Sequence, residues 1–98
     1  GALLEWDGSV WWPVEEDRIH VVSSTTLGDR AEVEIEFGDH LWGSRLDYAV
    51  FAQGSDGCPG IVPWPLKTSE SFLLVLPTGS EARQFMTVVV IGREYVAE

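Results

Sequence analysis

The sequence predicts an all-β domain of seven to eight short strands, arranged as an antiparallel sandwich, with a small barrel as the alternative. Two observations carry this prediction. Apolar and polar residues alternate with a period of two along much of the chain, most clearly over residues 31–37, whereas helical periodicity is almost absent. Stretches rich in Gly, Pro, Asp and Ser separate the alternating segments at short intervals, as turns between strands do.

The length of the chain predicts a single domain over residues 1–98, because 98 residues leave room for one hydrophobic core. The number and length of the strands are similar to those of immunoglobulin-like sandwiches, although the Cys…Trp…Cys signature of true immunoglobulin domains is missing. This similarity concerns architecture and implies no function.

Each strand is predicted from its local pattern. The predicted strands cover residues 3–6, 9–12, 18–25, 31–37, 45–52, 61–67, 71–76 and 85–91. Asp7-Gly8 favours a tight hairpin turn between the first two strands. Two prolines place segment 61–67 at the edge of a sheet. Segments 71–76 and 85–91 are nearly continuous apolar runs, so they are predicted to be central strands that are covered on both faces.

Tryptophans supply the first candidate binding surface. Neighbouring side chains on a strand point to opposite faces, so we expect one ring of Trp11 and Trp12 in the core and the other outside, unless loops cover both. Prolines on both sides of Trp64 hold that ring in a fixed direction. Trp6 and Trp42 are instead expected to close the open ends of the sandwich.

Acidic side chains supply the second candidate surface. Glu32, Glu34 and Glu36 alternate with apolar residues, so they are predicted to lie about 6.8 Å apart on the outer face of one strand. Such a row suits a basic partner, while a solvated face that discourages edge aggregation is the commoner use of the pattern. Arg45 is expected on a neighbouring strand, where it would offset part of the repulsion and Asp47 would add to it.

Catalytic and metal-binding motifs do not stand out, so we predict no enzyme activity, no metal and no cofactor. Asp39 and His40 lie near Ser44 in the sequence, but closeness in a loop does not establish the geometry of a nucleophile and its base. Cys58 has no cationic neighbour that would activate its thiol. Asp56 offers a single carboxylate in its loop, which is too few oxygens for calcium.

Charge and cysteine content narrow the partners and the compartment. The net charge of −10 argues against nucleic acid and against an anionic membrane surface. One cysteine excludes a disulfide framework and favours a reducing compartment such as the cytoplasm. No apolar run approaches the length of a membrane span, and the N-terminus lacks the layout of a signal peptide. Because the chain opens on Gly1 rather than Met, the sequence leaves open whether a signal or a further domain lies upstream.

These features together predict a non-catalytic protein-interaction or self-assembly module. Its contact surface is expected to be an exposed Trp/Pro-rich surface or a sheet edge, and its partner another protein or a second copy of the chain. One alternative is an acidic inhibitor of the immunity type, which would cover a basic site with Glu32, Glu34 and Glu36. The other is a carbohydrate-binding module that stacks sugars on two tryptophans of one surface.

Overall fold

The computed structural model describes residues 1–38, 41–54, 59–79 and 84–94. These residues form two antiparallel sheets around one shared core, so the predicted β-sandwich is confirmed. The strands, in chain order, are β1 (Ala2–Trp6), β2 (Trp11–Glu16), β3 (Ile19–Leu27), β4 (Arg30–Phe37), β5 (Tyr48–Gly54), β6 (Pro59–Ile61), β7 (Ser71–Pro77) and β8 (Gln84–Gly92). A short 3-10 helix, Trp64–Leu66, lies between β6 and β7.

The two sheets differ in size. The larger sheet has the strand order β2-β1-β8-β5-β6, and the smaller one has the order β3-β4-β7. The strands at the four edges are therefore β2, β6, β3 and β7. The strand predicted over residues 61–67 is largely wrong, because it shares only Ile61 with the edge strand β6 and a 3-10 helix begins at Trp64.

The hairpin between β1 and β2 is closed by the side chain of Asp7. Its Oδ1 accepts hydrogen bonds from the backbone N–H groups of Ser9 at 2.8 Å and Val10 at 2.9 Å. These two hydrogen bonds lower the pKa of the Asp7 carboxyl, and the bond from Val10 has the larger effect. Gly8 adopts a φ of 101°, a left-handed conformation that glycine reaches without strain. Since Ser9 and Val10 belong to the turn, β2 begins at Trp11 rather than at the predicted Ser9.

Two tryptophans fill one end of the core. Trp6 and Trp11 are almost fully buried, with ring centroids 5.8 Å apart. The indole N–H of Trp6 donates to the carbonyl of Gly79 at 3.1 Å, and that of Trp11 donates to the carbonyl of Pro77 at 3.0 Å. Both rings are therefore buried with their polar atoms satisfied, as a stable core requires.

Four aromatic rings fill the other end of the core. Phe37, Trp42, Tyr48 and Phe72 contact one another, and Trp42 stacks on Tyr48 with centroids 5.0 Å apart. This cluster lies at the end of β8 opposite to the end that pairs with Trp6. The prediction that Trp6 and Trp42 close the two ends of the sandwich is thus confirmed.

The strand predicted over residues 45–52 begins later than expected, at Tyr48. A turn precedes it, in which the carboxylate of Asp47 accepts a hydrogen bond from the backbone N–H of Ser44 at 3.0 Å. Leu46 lies in this turn and is 76% exposed, so it does not share the buried side of β5 as predicted. A side-chain cap on the backbone has displaced the start of the strand.

The prediction that residues 71–76 and 85–91 are central strands covered on both faces is wrong in two respects. β7 is an edge strand, and its outward residue Val75 is exposed. β8 is central, but its outward residues Phe85, Val89 and Ile91 are exposed as well. A strand can be covered on both faces only when a layer of structure lies on each side of its sheet. The described residues form two sheets only, so each sheet has one face without a covering layer.

Candidate functional site

The outer face of the five-stranded sheet carries a cluster of exposed apolar side chains. Val89 on β8 lies directly opposite Phe51 on β5, which lies opposite Ile61 on β6, and Ile91 lies opposite Ala49. We call these five residues the apolar patch. Ile61 is 64% exposed, Ile91 61%, Val89 44% and Phe51 39%. Strand alternation directs the other side chains of β5 and β8 into the core, so these residues point away from it.

The same face continues toward β2, where it carries two further aromatic side chains on either side of Glu5. Trp12 lies opposite Glu5, and Glu5 lies opposite Phe85. Thr87 and Gln53 form a polar row between this pair and the apolar patch. Five strands about 4.8 Å apart and roughly six residues long give the whole face a projected area of about 500 Å². This area includes Glu5 and the polar row, so the apolar part of the face is smaller.

The Trp11–Trp12 pair divides as the sequence predicts. Trp11 is 1% exposed and belongs to the core, whereas Trp12 is 57% exposed on the outer face. Trp11 therefore offers no surface for a partner, and Trp12 is the member of the pair that can contact one.

Trp64 lies far from Trp12. It follows β6 at the end of the sheet where β5 begins, whereas Trp12 lies on the far edge at the opposite end. Four strand spacings across and about seven residues along place the two rings roughly 30 Å apart. The guanidinium of Arg45 lies 4.3 Å from the centroid of the Trp64 ring and covers one of its faces. The two exposed tryptophans therefore form no common stacking surface.

The three glutamates lie on the outer face of the three-stranded sheet, on the opposite side of the sandwich from the apolar patch. They alternate with the buried residues of β4, with Glu36 exposed and Glu32 and Glu34 half-buried. Their neighbours on β3 are His20, Ser23 and Thr25, and those on β7 are Ser71, Leu73 and Val75. Among the described residues, the ion pair of this row is Arg30 Nε with Glu32 Oε1 at 3.9 Å. We call Glu32, Glu34 and Glu36 the glutamate row.

The prediction that Arg45 and Asp47 act on the glutamate row is wrong. β4 pairs with β3 and β7, so the turn that holds Arg45 and Asp47, just before β5 of the other sheet, is not its neighbour. Arg45 instead stacks on Trp64, and Asp47 caps the turn at Ser44. Within the described ranges, Arg30 is the cation that pairs with the row.

An apolar groove separates the edge strands β6 and β7 on one side of the sandwich. Its volume is about 220 Å³, and only apolar residues and one glycine line it. The lining residues are Ala52, Gly60, Ile61, Val62, Pro63, Leu66, Leu73, Leu74 and Val75. No strand of the described residues closes the two sheets on this side, so the groove lies between their edges.

Lys67 is a buried cation that the sequence did not reveal, because no pattern distinguishes it from an exposed lysine. Its Nζ donates to the carbonyl of Tyr48 at 2.6 Å and lies 4.8 Å from the centroid of that ring. Burial lowers the pKa of Lys67 and raises the pKa of Tyr48 to about 12. The hydroxyl of Tyr48 donates to the carbonyl of Thr68 at 2.7 Å. The two hydrogen bonds hold the segment after the 3-10 helix, which contains Lys67 and Thr68, against β5.

Several residues that the sequence singles out for chemistry, namely Asp39, His40, Asp56 and Cys58, lie outside the described residues. Within the described ranges, no group of three His, Cys, Asp or Glu side chains could hold a metal ion. The helical part of those ranges contains nothing long and apolar enough to cross a membrane.

No protein-family model, curated protein or solved structure matches the chain. The geometry itself offers three surfaces: the apolar patch with Trp12, the glutamate row, and the groove between β6 and β7. Each of them provides contacts of the kind that binding surfaces use, namely apolar area, fixed charge and a sheet edge.

Proposed function

We propose that the protein is a non-catalytic protein-interaction module that self-associates through the outer face of its five-stranded sheet. One observation carries the proposal: Val89, Phe51 and Ile61 form an unbroken cross-strand row of exposed apolar side chains on three neighbouring strands. Burying such a face removes apolar area from water at about 25 cal/mol per Å².

The distribution of charge favours a second copy as the partner. The glutamate row lies on the opposite side of the sandwich, so two copies that meet through the apolar patch keep their acidic faces outward. Three sheet spacings of about 10 Å then separate the two rows by roughly 30 Å. This exceeds the Debye length of about 8 Å at physiological ionic strength, so the charges of the glutamate row do not oppose association, whereas Glu5 lies on the contact face itself and does.

The size of the face is adequate for a weak, reversible dimer. A contribution of about 500 Å² from each copy gives a total buried area near the lower limit of specific interfaces. Trp12 and Phe85 extend the contact beyond the apolar patch, and large aromatic side chains are the residues that most often anchor interfaces.

Light scattering over a range of protein concentrations tests the proposal. The wild-type mass should rise with concentration from that of a monomer to that of a dimer. The double variant Val89→Thr/Ile91→Thr should weaken association at least tenfold, because it removes apolar area while keeping β-branched residues in the strand. Leu46→Thr is the matched control, since Leu46 is exposed outside the patch. A wild-type protein that stays monomeric at millimolar concentration overturns self-association.

The glutamate row favours a second candidate, an acidic inhibitor that covers a basic site. Three carboxylates aligned on one face, with Arg30 as a distant counter-charge, form a field that a cationic surface would complement. Binding of this kind should weaken steeply with added salt, and Glu34→Gln should reduce it. Binding that salt does not change would exclude this role. A carbohydrate role has less support, because Trp12 and Trp64 share no surface.

A further inference from the structure

One edge of the smaller sheet presents backbone groups without partners. The N–H of Phe37 donates to the carbonyl of Glu70 at 3.0 Å. In an antiparallel sheet, only every second pair of opposite residues is joined by backbone hydrogen bonds. Counting from Phe37 and Glu70, the pairs of β4 with Leu73 and Val75 are not hydrogen-bonded, so the backbone N–H and C=O groups of these two residues point away from β4. Lys67 bridges the start of β7 at Phe72. Beyond this bridge, the carbonyl of Leu73 and both polar groups of Val75 have no backbone partner among the described residues.

Within the part of the chain that the structure describes, the other three edges are protected against strand addition, and β7 is covered only at its start, by the bridge from Lys67. β2 and β3 each take part in a pairing with a register shift, which is a common way to protect an edge. β6 has three residues and begins at Pro59, and Pro63 follows it. β7 pairs with β4 without any register shift along Ser71–Pro77, and proline appears only at its end.

The groove beside this edge has the size and chemistry for an apolar side chain. Its volume of about 220 Å³ exceeds the roughly 150 Å³ of an apolar cavity that holds benzene. Val62 and Leu66 on one side face Leu74 on the other, so an aliphatic side chain entering here would meet only apolar neighbours. Strand alternation would send every second residue of an added strand into the groove and the others outward.

The charge beside the edge selects the outward residues. An added strand would lie two strand spacings, about 10 Å, from the glutamate row on β4. Leu73 and Val75 lie between them and carry no charge. The long side chains of Lys and Arg can cover these two residues and bring their cationic ends close to Glu32 and Glu34. Acidic outward residues would be repelled by the same row.

We infer that β7 accepts an extended segment of another protein in which apolar residues alternate with Lys or Arg. The added strand pairs with Leu73 and Val75, places an aliphatic side chain in the groove, and faces the glutamate row with its basic side chains. This is a second binding site, centred on the edge of the other sheet and adjoining the apolar patch at Ile61. A second copy of this chain is a poor occupant, because its sequence contains no segment in which apolar residues alternate with Lys or Arg.

A fluorescently labelled peptide of alternating Val and Lys tests the site. Its anisotropy should rise on titration with the protein, and a peptide of the same composition with the alternation scrambled should bind at least tenfold more weakly. A peptide of alternating Val and Glu should not bind. The same Val/Lys peptide should also fail when the backbone N–H groups that face β7, those of its Lys residues in an antiparallel pairing, are N-methylated, because it can then no longer donate to the backbone of β7; this arm leaves the protein unchanged.

A substitution in the protein locates the peptide. Val75→Pro removes an outward N–H that is not paired with β4, and proline is tolerated at such positions of edge strands. Circular dichroism should therefore be unchanged, while the affinity for the Val/Lys peptide falls at least tenfold. The control Val89→Thr/Ile91→Thr, which alters the apolar patch, should bind the peptide as the wild type does.

Three results would overturn the inference. The first is equal binding of the alternating and scrambled Val/Lys peptides, which would mean that charge alone attracts them. The second is equal affinity of the wild type and Val75→Pro in a folded state. The third is loss of self-association in Val75→Pro, which would make a second copy the occupant of this edge. The first two results leave the apolar patch untouched, whereas the third would also move self-association from the apolar patch to β7.

Discussion

The two outer faces of the sandwich follow the same rule of alternation and have opposite chemistry. On β4, the outward residues are Glu32, Glu34 and Glu36, so water solvates that face. On β8, the outward residues include Val89 and Ile91, both exposed. An outward residue does not contribute to the core, so its type reflects what it contacts outside. The difference indicates that one face is adapted to water or to a cationic partner and the other to apolar contact.

The largest expected effect is a difference in stability between replacing an inward tryptophan and replacing an outward one. Trp11→Ala should lower the free energy of unfolding by about 3–5 kcal/mol, because it leaves a cavity in the core and deprives the carbonyl of Pro77 of its donor. Trp12→Ala should lower it by less than about 1 kcal/mol, since the ring is more than half exposed. Denaturant unfolding at low protein concentration measures both. Equal losses would contradict the assignment of Trp12 to the outer face.

Most of the fold was predictable because local rules decide it. The Asp7-Gly8 turn and the alternation of β4 each specify a local structure that the fold retains, whereas the prolines around Trp64 predicted an extended segment that forms a 3-10 helix instead. The patterns of β7 and β8 misled because an apolar outward residue has the same sequence signal whether another layer covers it or not. Counting the available strands would have left no third layer to cover either.

The candidate surfaces were only partly predictable. Alternation correctly separates Trp11 from Trp12 and places the glutamate row outward. The grouping of Phe51, Ile61 and Val89 depends on the order in which distant strands pair, and no local pattern encodes that order. The burial of Lys67 depends on the same long-range packing, since its partner is the carbonyl of Tyr48 on β5.

A stability effect of intermediate size is expected from Tyr48, which lies in the core between the two faces, and it depends on pH. Burial raises the pKa of Tyr48 from 10.0 to about 12, so the folded state favours the neutral phenol. This contribution is complete below pH 10 and is lost as the pH rises toward 12, because the unfolded chain releases the proton first. The loss should be on the order of 2 kcal/mol. Lys67, whose pKa is lowered, acts in the opposite direction.

Comparison with Tyr48→Phe isolates this effect. The variant keeps the ring that packs against Trp42, so its unfolding free energy should fall less between pH 10 and pH 12 than that of the wild type. The variant also loses the hydrogen bond to Thr68, which lowers its stability at every pH without changing the slope. Parallel profiles for the two proteins would show that the phenol of Tyr48 is not protected by burial.

The smallest effect concerns the glutamate row. Glu34→Gln should raise the free energy of unfolding by a few tenths of a kcal/mol at low salt, because it relieves repulsion from its two neighbours at about 6.8 Å. The gain should vanish at high salt, where screening has already reduced that repulsion. Urea titrations at two salt concentrations measure the difference. A loss of stability at low salt would indicate a compensating cation near Glu34.

Sedimentation equilibrium with one matched substitution on each face tests the central claim most directly. Phe51→Thr changes the apolar patch, and Glu34→Thr changes the glutamate row, each at the middle of its face. The wild type and Glu34→Thr should both shift from monomer to dimer as concentration rises, whereas Phe51→Thr should stay monomeric. Dimerisation that survives in Phe51→Thr and disappears in Glu34→Thr would contradict the assignment of the interface to the apolar face.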